Sequence, residues 1–334
     1  MLLSIIIVNY NTDALIIDCI NTIVQQTQDT AYEIIVVDNL SAAGSLEKIL
    51  AAHPSVKGIQ MGYNAGFSRA NNAGLKAATG EYLLLLNPDT LILDRALDRC
   101  VQRFAANTHV ACGVQLLNPD MTTQISGNYF MKGGLNHLLP LPYWGGLLRW
   151  IGYKLNTKVP NVQEAKAVHE VDWISGAFLM VKRGVLEKAG YMDEDFFLFA
   201  EEVEWCSRIR KLGVLAIYGD INIIHLQGES TGEAFDSAEK GYYGLYDRKG
   251  LQVMLSNHVR VRKQFGAGWY MLLLLNYTFA VPVFFFGSII EGIFRLRNPF
   301  RYMEQVGGLT KNVAALWRFT PTILKNKPHF YKVL

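Results

Sequence analysis

Short β-rich runs alternate with helix-like patterns over the first hundred residues, and this alternation limits the possible fold more than any other feature of the chain. The pattern predicts strands at residues 4–8, 33–37, 56–60 and 81–86 and helices at 13–26, 44–53, 66–79 and 94–106. The strands are almost continuously apolar, which is typical of strands buried on both faces of a sheet. Residues 1–116 are therefore expected to form a doubly wound, largely parallel α/β layer.

The pattern loosens after residue 116 and then becomes regular again. Residues 118–170 contain paired glycines, prolines and several aromatic residues, and we interpret them as a loop-rich insertion. The later segments are predicted as an ordered stretch at 171–182, helices at 183–189 and 201–212, and strands at 214–218 and 222–225. The domain prediction is an α/β domain at 1–230, with halves at 1–116 and 117–230, followed by a helical C-terminal region at 231–334.

The C-terminal region differs from the rest of the chain in charge. Residues 256–334 hold 11 Lys or Arg and 2 Asp or Glu, a net charge of +9, whereas the remaining residues hold 21 and 27, a net charge of −6. An uncharged apolar stretch at 266–290 is long enough to cross a bilayer. Because basic residues flank it on both sides and Pro282 lies in its middle, we expect in-plane or re-entrant helices at the inner face of a membrane. The alternative is packing on the α/β domain or on a second subunit.

Cysteine usage and the N-terminus favour a cytoplasmic protein. The four cysteines show no CxxC spacing, and Met1 runs directly into a strand-like stretch instead of a signal peptide. No nucleic-acid partner is expected.

Two acids follow predicted strands, Asp38 in EIIVVDN and Asp89 in YLLLLNPD. Ligands of open α/β sheets bind at the carboxyl ends of the strands, where carboxylates can accept from a nucleoside or hold Mg²⁺ or Mn²⁺. The alternative is structural, with Asp38 stabilising a turn and Asp89 capping a helix. Two acids at one edge favour a site.

Three further features suggest a site. The glycines of residues 62–74 permit close approach of the backbone to a phosphate, and Arg69 could pair with a diphosphate, although a solvated arginine is more common. Glu201, Glu202 and Glu204 begin a predicted helix; they either stabilise its N-terminus or supply a general base. His225 ends a predicted strand, and it is either a structural residue or, with Asp89, a metal ligand.

In combination, these segments resemble the family 2 inverting glycosyltransferases of GT-A fold, in particular their bacterial rhamnosyltransferase-like branch. Six segments carry the resemblance in the same order: IIIVNYN at 5–11, IIVVDN at 34–39, NAGFSRANN at 64–72, LLLLNPD at 83–89, DWISGAFLMVKR at 172–183 and GYMDEDFFLFAEEVEWCSRIRKLG at 190–213. The resemblance implies a Rossmann-like GT-A domain that binds a nucleoside-diphosphate sugar, followed by a hydrophobic, basic helical tail.

The resemblance also implies roles for particular residues. Asp38 would contact the nucleobase, and the other residues of the nucleotide-sugar site would be Asn9, Asn11, Asn64, Gly66, Arg69, Asn71, Asn87 and Asp89. Asn87 and Asp89 occupy the place of the family's Asp-x-Asp element, so that Asn87 replaces its first acid. Asp89 and His225 would hold Mg²⁺ or Mn²⁺.

On the acceptor side, Glu202 falls on the family's catalytic aspartate, with Glu201 as the alternative base. Trp173, Gly176 and Ala177 match the acceptor-side motif. The implied reaction is inverting transfer of a sugar, with rhamnose from dTDP-rhamnose expected first, to a saccharide acceptor linked to a polyprenyl lipid, in cell-surface polysaccharide biosynthesis. A homo-oligomer is possible.

Other classes of protein fit the sequence less well. A nucleotidyltransferase or a dinucleotide-dependent oxidoreductase needs a glycine-rich loop after the first strand, where this chain has Asn-Tyr-Asn. A non-catalytic nucleotide-sugar-binding protein of a polysaccharide assembly machine is the remaining alternative, but the joint presence of Asp89, Glu202 and His225 argues against it.

Overall fold

The computed structural model describes residues 2–155, 161–162, 164–226 and 244–333, and the chain divides into two compact units. The first unit comprises Met1–Tyr129, Asn161–Phe197 and Glu201–Thr231, and the second comprises Phe130–Pro160, Leu198–Ala200 and Gly232–Leu334. The second unit thus combines an internal segment with the C-terminal helices. Residues 227–243, where the predicted C-terminal region begins, lie outside the described residues.

The first half of the first unit alternates strand and helix as the sequence predicts. Its strands are β1 (Leu2–Asn9), β2 (Ala31–Asp38), β3 (Lys57–Gln60), β4 (Tyr82–Leu86) and β5 (Thr90–Ile92). Its helices are α1 (Asp13–Gln26), α2 (Ser45–Ala52), α3 (Gly66–Ala77) and α4 (Ala96–Ala105). The order β3-β2-β1-β4, parallel throughout, confirms the doubly wound arrangement.

The second half extends this sheet with strands of both directions. The strands are β6 (Ala111–Leu117), β7 (Gly127–Asn128), β8 (Asn161–Val162), β9 (Val168–Val171), β10 (Trp173–Ile174), β11 (Phe178–Lys182) and β12 (Leu215–His225). Its helices are α6 (Arg183–Ala189) and α7 (Glu201–Ile209), and a 3-10 helix follows at Arg210–Leu212. The preceding helix in the chain, α5 (Trp144–Lys154), belongs to the second unit. The main sheet has the order β3-β2-β1-β4-β11-β6-β12-β5, with β9 also paired to β12, and a small sheet has the order β10-β7-β8.

Two predicted strands are wrong in their limits. The strands expected at 214–218 and 222–225 form the single strand β12, because its pairing with β6 continues across an irregularity between Tyr218 and Asn222. The ordered stretch expected at 171–182 contains β10 and β11, which are separated by a turn.

Side chains on both faces of the sheet are buried, as the apolar strands predict. In β1, Ile5 and Ile7 join one core and Ile6 joins the other. The four cysteines are all buried and carry no disulfide. The pairing of His225 with Thr90, between β12 and β5, brings the end of β12 to the segment that follows β4.

The second unit is helical. It contains a 3-10 segment (Lys132–Leu138), α5, α8 (Arg248–Phe265), α9 (Ala267–Phe294) and α10 (Met303–Lys325). Helix α9 runs without a break through Pro282, so the re-entrant pair of helices that the proline suggested is replaced by one helix. Its inner side chains pack on α8 and α10, and this packing offsets the hydrogen bond that a proline removes.

A fully buried histidine joins these helices and predicts a loss of stability in acid. The Nδ1–H of His258 donates to the carbonyl oxygen of Met254 (2.7 Å), and the rings of Tyr270 and Tyr277 pack edge-on against it. Burial disfavours the charged imidazolium and lowers the pKa of His258 to about 4. In the unfolded chain the histidine pKa is about 6.5.

Below pH 6.5 the unfolded chain therefore takes up a proton that the folded chain refuses until about pH 4. Stability contributed by neutral His258 is complete above pH 6.5 and is lost as the pH falls, by about 2 kcal/mol at pH 5. Urea unfolding at pH 7 and pH 5 measures the difference. The His258→Gln variant should show a flatter pH dependence, whereas His329→Gln, at an exposed histidine, should keep the wild-type dependence. An unchanged slope in His258→Gln would contradict the prediction.

Candidate functional site

The carboxyl ends of β1 and β2 hold a buried pair of polar side chains. Asn9 and Asp38 are register partners in the parallel sheet, and Asn9 Nδ2 donates to Asp38 Oδ1 (2.8 Å) and to Ser45 Oγ (2.9 Å). The Asn9 Oδ1 atom accepts from the backbone and side chain of Thr12. Asn9 thus fixes both the orientation of Asp38 and the start of α1.

Asp38 also serves the structural role that the sequence left open. Its Oδ2 accepts from the amide of Ser41 (3.3 Å), which stabilises the turn after β2. Asn11, with φ of 56°, accepts from the amide of Ala42 through its Oδ1 (2.8 Å) and donates its own amide to Ser41 Oγ (3.0 Å). Asn11 therefore ties the loop after β1 to the loop after β2, beside Asp38.

The loop before α3 approaches the backbone of residue 197 too closely for any side chain. Gly66 has a φ of 75°, and a Cβ there would lie 2.3 Å from the carbonyl oxygen of Phe197. The Oδ1 atom of Asn64 accepts from the Gly66 amide (3.2 Å) and from Asn39 Nδ2 (3.1 Å). Asn39 in turn accepts from the Ala65 amide (2.7 Å), so the loop is fastened to the end of β2.

Two polar side chains of α3 are engaged in contacts within the protein. Arg69 Nε donates to the carbonyl oxygen of Glu194 (3.2 Å), and buried Asn71 donates to the carbonyl oxygen of Phe67 in its own helix (2.9 Å). Asn72, which sequence reasoning missed, exchanges two hydrogen bonds with the backbone of Met192 (2.9 and 3.0 Å). The sequence signal for this contact is the Asn-Asn doublet in the middle of α3.

A buried acid and a histidine meet at the end of β4. Asp89 is 2% exposed, and its Oδ1 atom has no hydrogen-bond partner. This oxygen lies 3.4 Å from His225 Nε2, and the side-chain nitrogen of Asn87 lies 3.3 Å from the same Nε2. The structure thus brings His225 to Asn87 and Asp89, from which it is separated by well over a hundred residues in the chain.

Gln124 determines which ring nitrogen of His225 carries the proton. Its Nε2 donates to the carbonyl oxygen of His225 (2.6 Å) and to Asn118 Oδ1 (2.8 Å), and the carbonyl oxygen of Leu117 lies 3.3 Å from it. The other amide atom, Oε1, must then accept from Nδ1–H of His225 (2.9 Å). In the neutral form of His225, the Nε2 lone pair therefore faces Asp89 and Asn87.

Asp89 and His225 fit a divalent cation. An unsatisfied buried carboxylate oxygen and an imidazole lone pair face each other, and a metal-bound histidine usually donates its other N–H to a protein acceptor, as His225 does to Gln124. Within residues 2–155, 161–162, 164–226 and 244–333, no group of three His, Cys, Asp or Glu could hold an ion. Mg²⁺ commonly uses one or two protein ligands and completes its shell with substrate phosphates.

Gln124→Met is expected to weaken Mn²⁺ binding by about 10- to 100-fold, because His225 would lose the partner that fixes its tautomer and ring plane. Electron paramagnetic resonance titration with a nucleoside diphosphate present measures this affinity, and Gln102→Met, at an exposed glutamine of α4, is the control. In a His225→Ala background the same change should have no further effect. A further loss there would mean that Gln124 does not act through His225.

The three acids of α7 have different environments. Glu204 is bound by Arg208, whose Nε and Nη2 atoms lie 2.9 to 3.1 Å from its carboxylate oxygens. Arg208 also donates to the carbonyl oxygens of Ala189 and Tyr191, so Glu204 fastens the helix to the preceding loop. Glu201 is 3% exposed, whereas Glu202 is only half-buried.

Gly176 lies beside Glu202 and keeps the space next to it open. A Cβ at Gly176 would lie 3.8 Å from the Cβ of Glu202 and 3.7 Å from the Phe67 ring. The neighbouring Ala177 is buried, and its carbonyl oxygen accepts from the Asn87 amide (3.1 Å). The turn at 175–177 thus connects Glu202 to the segment that carries Asp89.

Trp173, the third residue of the predicted acceptor set, packs against one of the two cores. It lies in β10, where it pairs with Asn128 of β7, and its side chain packs against the core that contains Trp205 and Cys206. Of this set, Gly176 lies next to Glu202.

Comparison with known proteins identifies the family of the chain. The family model described as "Glycosyl transferase family 2" matches residues 4–179. The low-salt glycan biosynthesis hexosyltransferase Agl10 of Haloferax volcanii is 30% identical over 213 residues, which cover 63% of this chain and 62% of Agl10. The match therefore spans less than two thirds of that relative.

An N-acetylglucosaminyl-diphospho-decaprenol L-rhamnosyltransferase of Mycobacterium tuberculosis is 25% identical, over 60% of this chain and 68% of its own. Among solved structures, GalNAc-T7 with UDP, GalNAc and Mn²⁺ gives a TM-score of 0.51 at 14% identity, covering 80% of this chain and 55% of that one. This likeness concerns the fold alone.

Proposed function

The chain belongs to glycosyltransferase family 2, and we propose that it transfers a sugar from a nucleoside-diphosphate donor to a saccharide acceptor with inversion at the anomeric carbon. One observation carries the proposal: the buried, unpartnered Oδ1 of Asp89 faces the Nε2 lone pair of His225 at the carboxyl edge of the sheet. Such an edge is where open α/β folds bind nucleotides.

The donor side consists of the residues at the ends of β1, β2 and β4. Asp38, oriented by Asn9, accepts from the nucleobase, and the loop that contains Asn64 and Gly66 lies along the nucleotide. Asn11 and Arg69 complete the loops around it, while Asn71, bonded within α3, supports the helix. The nucleotide contacts thus come from loops that are fastened to one another.

Asp89 and His225 are the residues that would hold Mg²⁺ or Mn²⁺. The bound ion would supply positive charge to the leaving diphosphate. Asn87 contributes no charge, so Asp89 is the carboxylate that the described residues provide here, and the substrate diphosphate would supply the rest of the negative charge.

Glu202 is the general base of the proposed reaction. It takes the proton of the acceptor hydroxyl, whose oxygen forms a bond to the anomeric carbon from the face opposite the diphosphate. The bond between the anomeric carbon and the diphosphate oxygen breaks, and the nucleoside diphosphate leaves. Glu202 is favoured over Glu201 because its side chain is half-exposed and lies beside Gly176, whereas Glu201 is buried.

For the substrates, we propose rhamnose from dTDP-rhamnose and a polyprenyl-linked saccharide acceptor at the cytoplasmic face of a membrane, in polysaccharide biosynthesis. The name of the mycobacterial relative, which includes L-rhamnose and a diphospho-decaprenol acceptor, supports both choices. Peripheral association of a cytoplasmic protein with that membrane follows from such an acceptor.

A donor panel tests the proposal. Binding and slow hydrolysis of dTDP-rhamnose, UDP-sugars and GDP-sugars are measured by calorimetry and chromatography, with Mn²⁺, with Mg²⁺ and with a chelator. We expect one donor, dTDP-rhamnose, to bind in a metal-dependent manner. Binding of a different donor would replace the sugar assignment alone. If no donor binds under any condition, the non-catalytic assembly protein becomes the better account.

A further inference from the structure

The outward face of α9 is apolar along its length. The exposed positions between residues 272 and 293 are Leu272, Leu275, Phe279, Pro282, Phe286, Ile290 and Ile293, which we name the apolar stripe. At about 100° per residue these positions fall within an arc of roughly 80°, over a length of about 30 Å. The outer face of a helix that meets water is normally polar. The apolar stripe therefore requires another environment.

The opposite side of α9 is covered by protein. Tyr270 and Tyr277 pack against His258 of α8, and the Tyr270 hydroxyl donates to Thr320 Oγ1 of α10 (2.7 Å). In the described part of the chain, α9 is the one helix long and apolar enough to cross a membrane, and α8 and α10, which pack on it, are less apolar. A helix with one open face and one covered face is suited to lie in the plane of an interface.

Two tryptophans flank the stripe on opposite sides. Trp144 of α5 donates its Nε1–H to Asn276 Oδ1 (3.0 Å) and packs edge-on against Phe279. Trp317 of α10 donates its Nε1–H to Thr278 Oγ1 (2.9 Å) and is 39% exposed. Tryptophan is enriched where apolar acyl chains meet polar headgroups.

Helix α5 adds a second apolar face in the same unit. Leu147, Trp150, Ile151 and Leu155 are all exposed, at spacings that place them on one side of the helix. Lys154 lies over the Trp150 ring, 5.9 Å from its centre. A cationic group above an aromatic ring, next to exposed aliphatic side chains, is typical of a helix at a lipid surface.

Basic residues mark the end of α9 and indicate the sign of the partner. Arg295 and Arg297 alternate with Phe294 and Leu296, which are 84% and 94% exposed. Residues 256–334 carry the net charge of +9. This charge attracts an anionic bilayer, but it would repel the same face of a second copy.

We propose that the second unit docks on an anionic membrane surface through the apolar stripe and the exposed face of α5, with α9 parallel to the bilayer plane. The proposal deepens the proposed function and rests on its lipid-linked acceptor. It specifies the protein surface that meets the lipid and the orientation of α9.

Vesicle sedimentation of the full-length protein tests the surface. Wild type should bind phosphatidylcholine vesicles more tightly when they contain phosphatidylglycerol. The double variant Phe279→Glu, Phe286→Glu should lower the partition coefficient at least about tenfold, since two apolar side chains no longer enter the lipid. Val24→Glu, at an apolar residue of α1 that is 53% exposed, is the matched control and should bind as wild type does.

The orientation of α9 is tested by measuring how deeply labelled positions along the helix enter the bilayer. A fluorophore is attached in turn to Leu272→Cys, Phe279→Cys and Ile290→Cys; the native cysteines are buried and should not react. Brominated lipids should quench all three at one shallow depth. If the central label lay deep in the bilayer and the two outer labels lay near its surfaces, α9 would span the membrane and the proposal would be overturned. It would also be overturned if the wild-type protein did not bind vesicles. If the protein formed dimers without lipid and Phe286→Glu dissociated them, the apolar stripe would instead be a subunit interface and the proposal would be overturned.

Donor binding, measured without lipid, separates this proposal from the proposed function. The double variant Phe279→Glu, Phe286→Glu should bind the donor as tightly as wild type does, although it no longer binds vesicles. If the wild-type protein bound vesicles but no donor, the membrane-docking proposal would be retained and the enzymatic assignment would be withdrawn.

Discussion

Glu202→Gln is expected to reduce the rate of sugar transfer by roughly 10²- to 10⁴-fold, the usual value of proton transfer by a positioned base. Glutamine keeps the shape of the side chain beside Gly176 but cannot accept the proton of the acceptor hydroxyl. Donor affinity should remain near that of wild type, because the loss concerns the reaction step. Initial rates at saturating donor, together with calorimetric donor binding, separate the two quantities.

The neighbouring acids supply the controls for this prediction. Glu204→Gln should lower the melting temperature by weakening the contact with Arg208, with a smaller effect on the rate. Glu201→Gln distinguishes the alternative base. If Glu202→Gln kept most of its activity while Glu201→Gln lost it, the base would be reassigned to Glu201.

Asp89→Asn is expected to weaken Mn²⁺-dependent donor binding by at least about 100-fold, more than the loss of an outer residue such as Gln124, because it removes the carboxylate of the metal site. The substitution changes the shape of the side chain little, so the fold should be retained. Calorimetry with a nucleoside diphosphate, with Mn²⁺ and with a chelator, measures the effect. Asp94→Asn, at an acid exposed on the surface, should leave the affinity unchanged. Equal metal dependence in Asp89→Asn and wild type would remove Asp89 from the metal site.

Much of the first unit could be predicted from local sequence. The apolar strands require burial on both faces, and this requirement alone specifies a parallel α/β layer with polar residues at its carboxyl edge. Asp38 and Asp89 follow from this edge. Gly66 was indicated instead by the glycine-containing segment 62–74, and its positive φ is one that side chains disfavour.

The remaining features depend on contacts between distant parts of the chain. Gln124 lies in an irregular segment, and its bond to His225 spans 101 residues, so no spacing in the sequence announces it. The grouping of Phe130–Pro160 with the C-terminal helices is likewise a tertiary contact. Pro282 suggested a break, but packing on α8 and α10 overrides this local preference.

The central claim is that Glu202 deprotonates the acceptor while Asp89 and His225 act at the diphosphate. This arrangement requires a single displacement at the anomeric carbon. The most direct test measures the anomeric configuration of the sugar that is released when the bound donor is hydrolysed. Proton NMR records this configuration in the first turnovers, before mutarotation mixes the two anomers. The account predicts the configuration opposite to that of the donor. Release with the donor's own configuration would contradict it, because retention requires a second displacement that a lone general base does not provide.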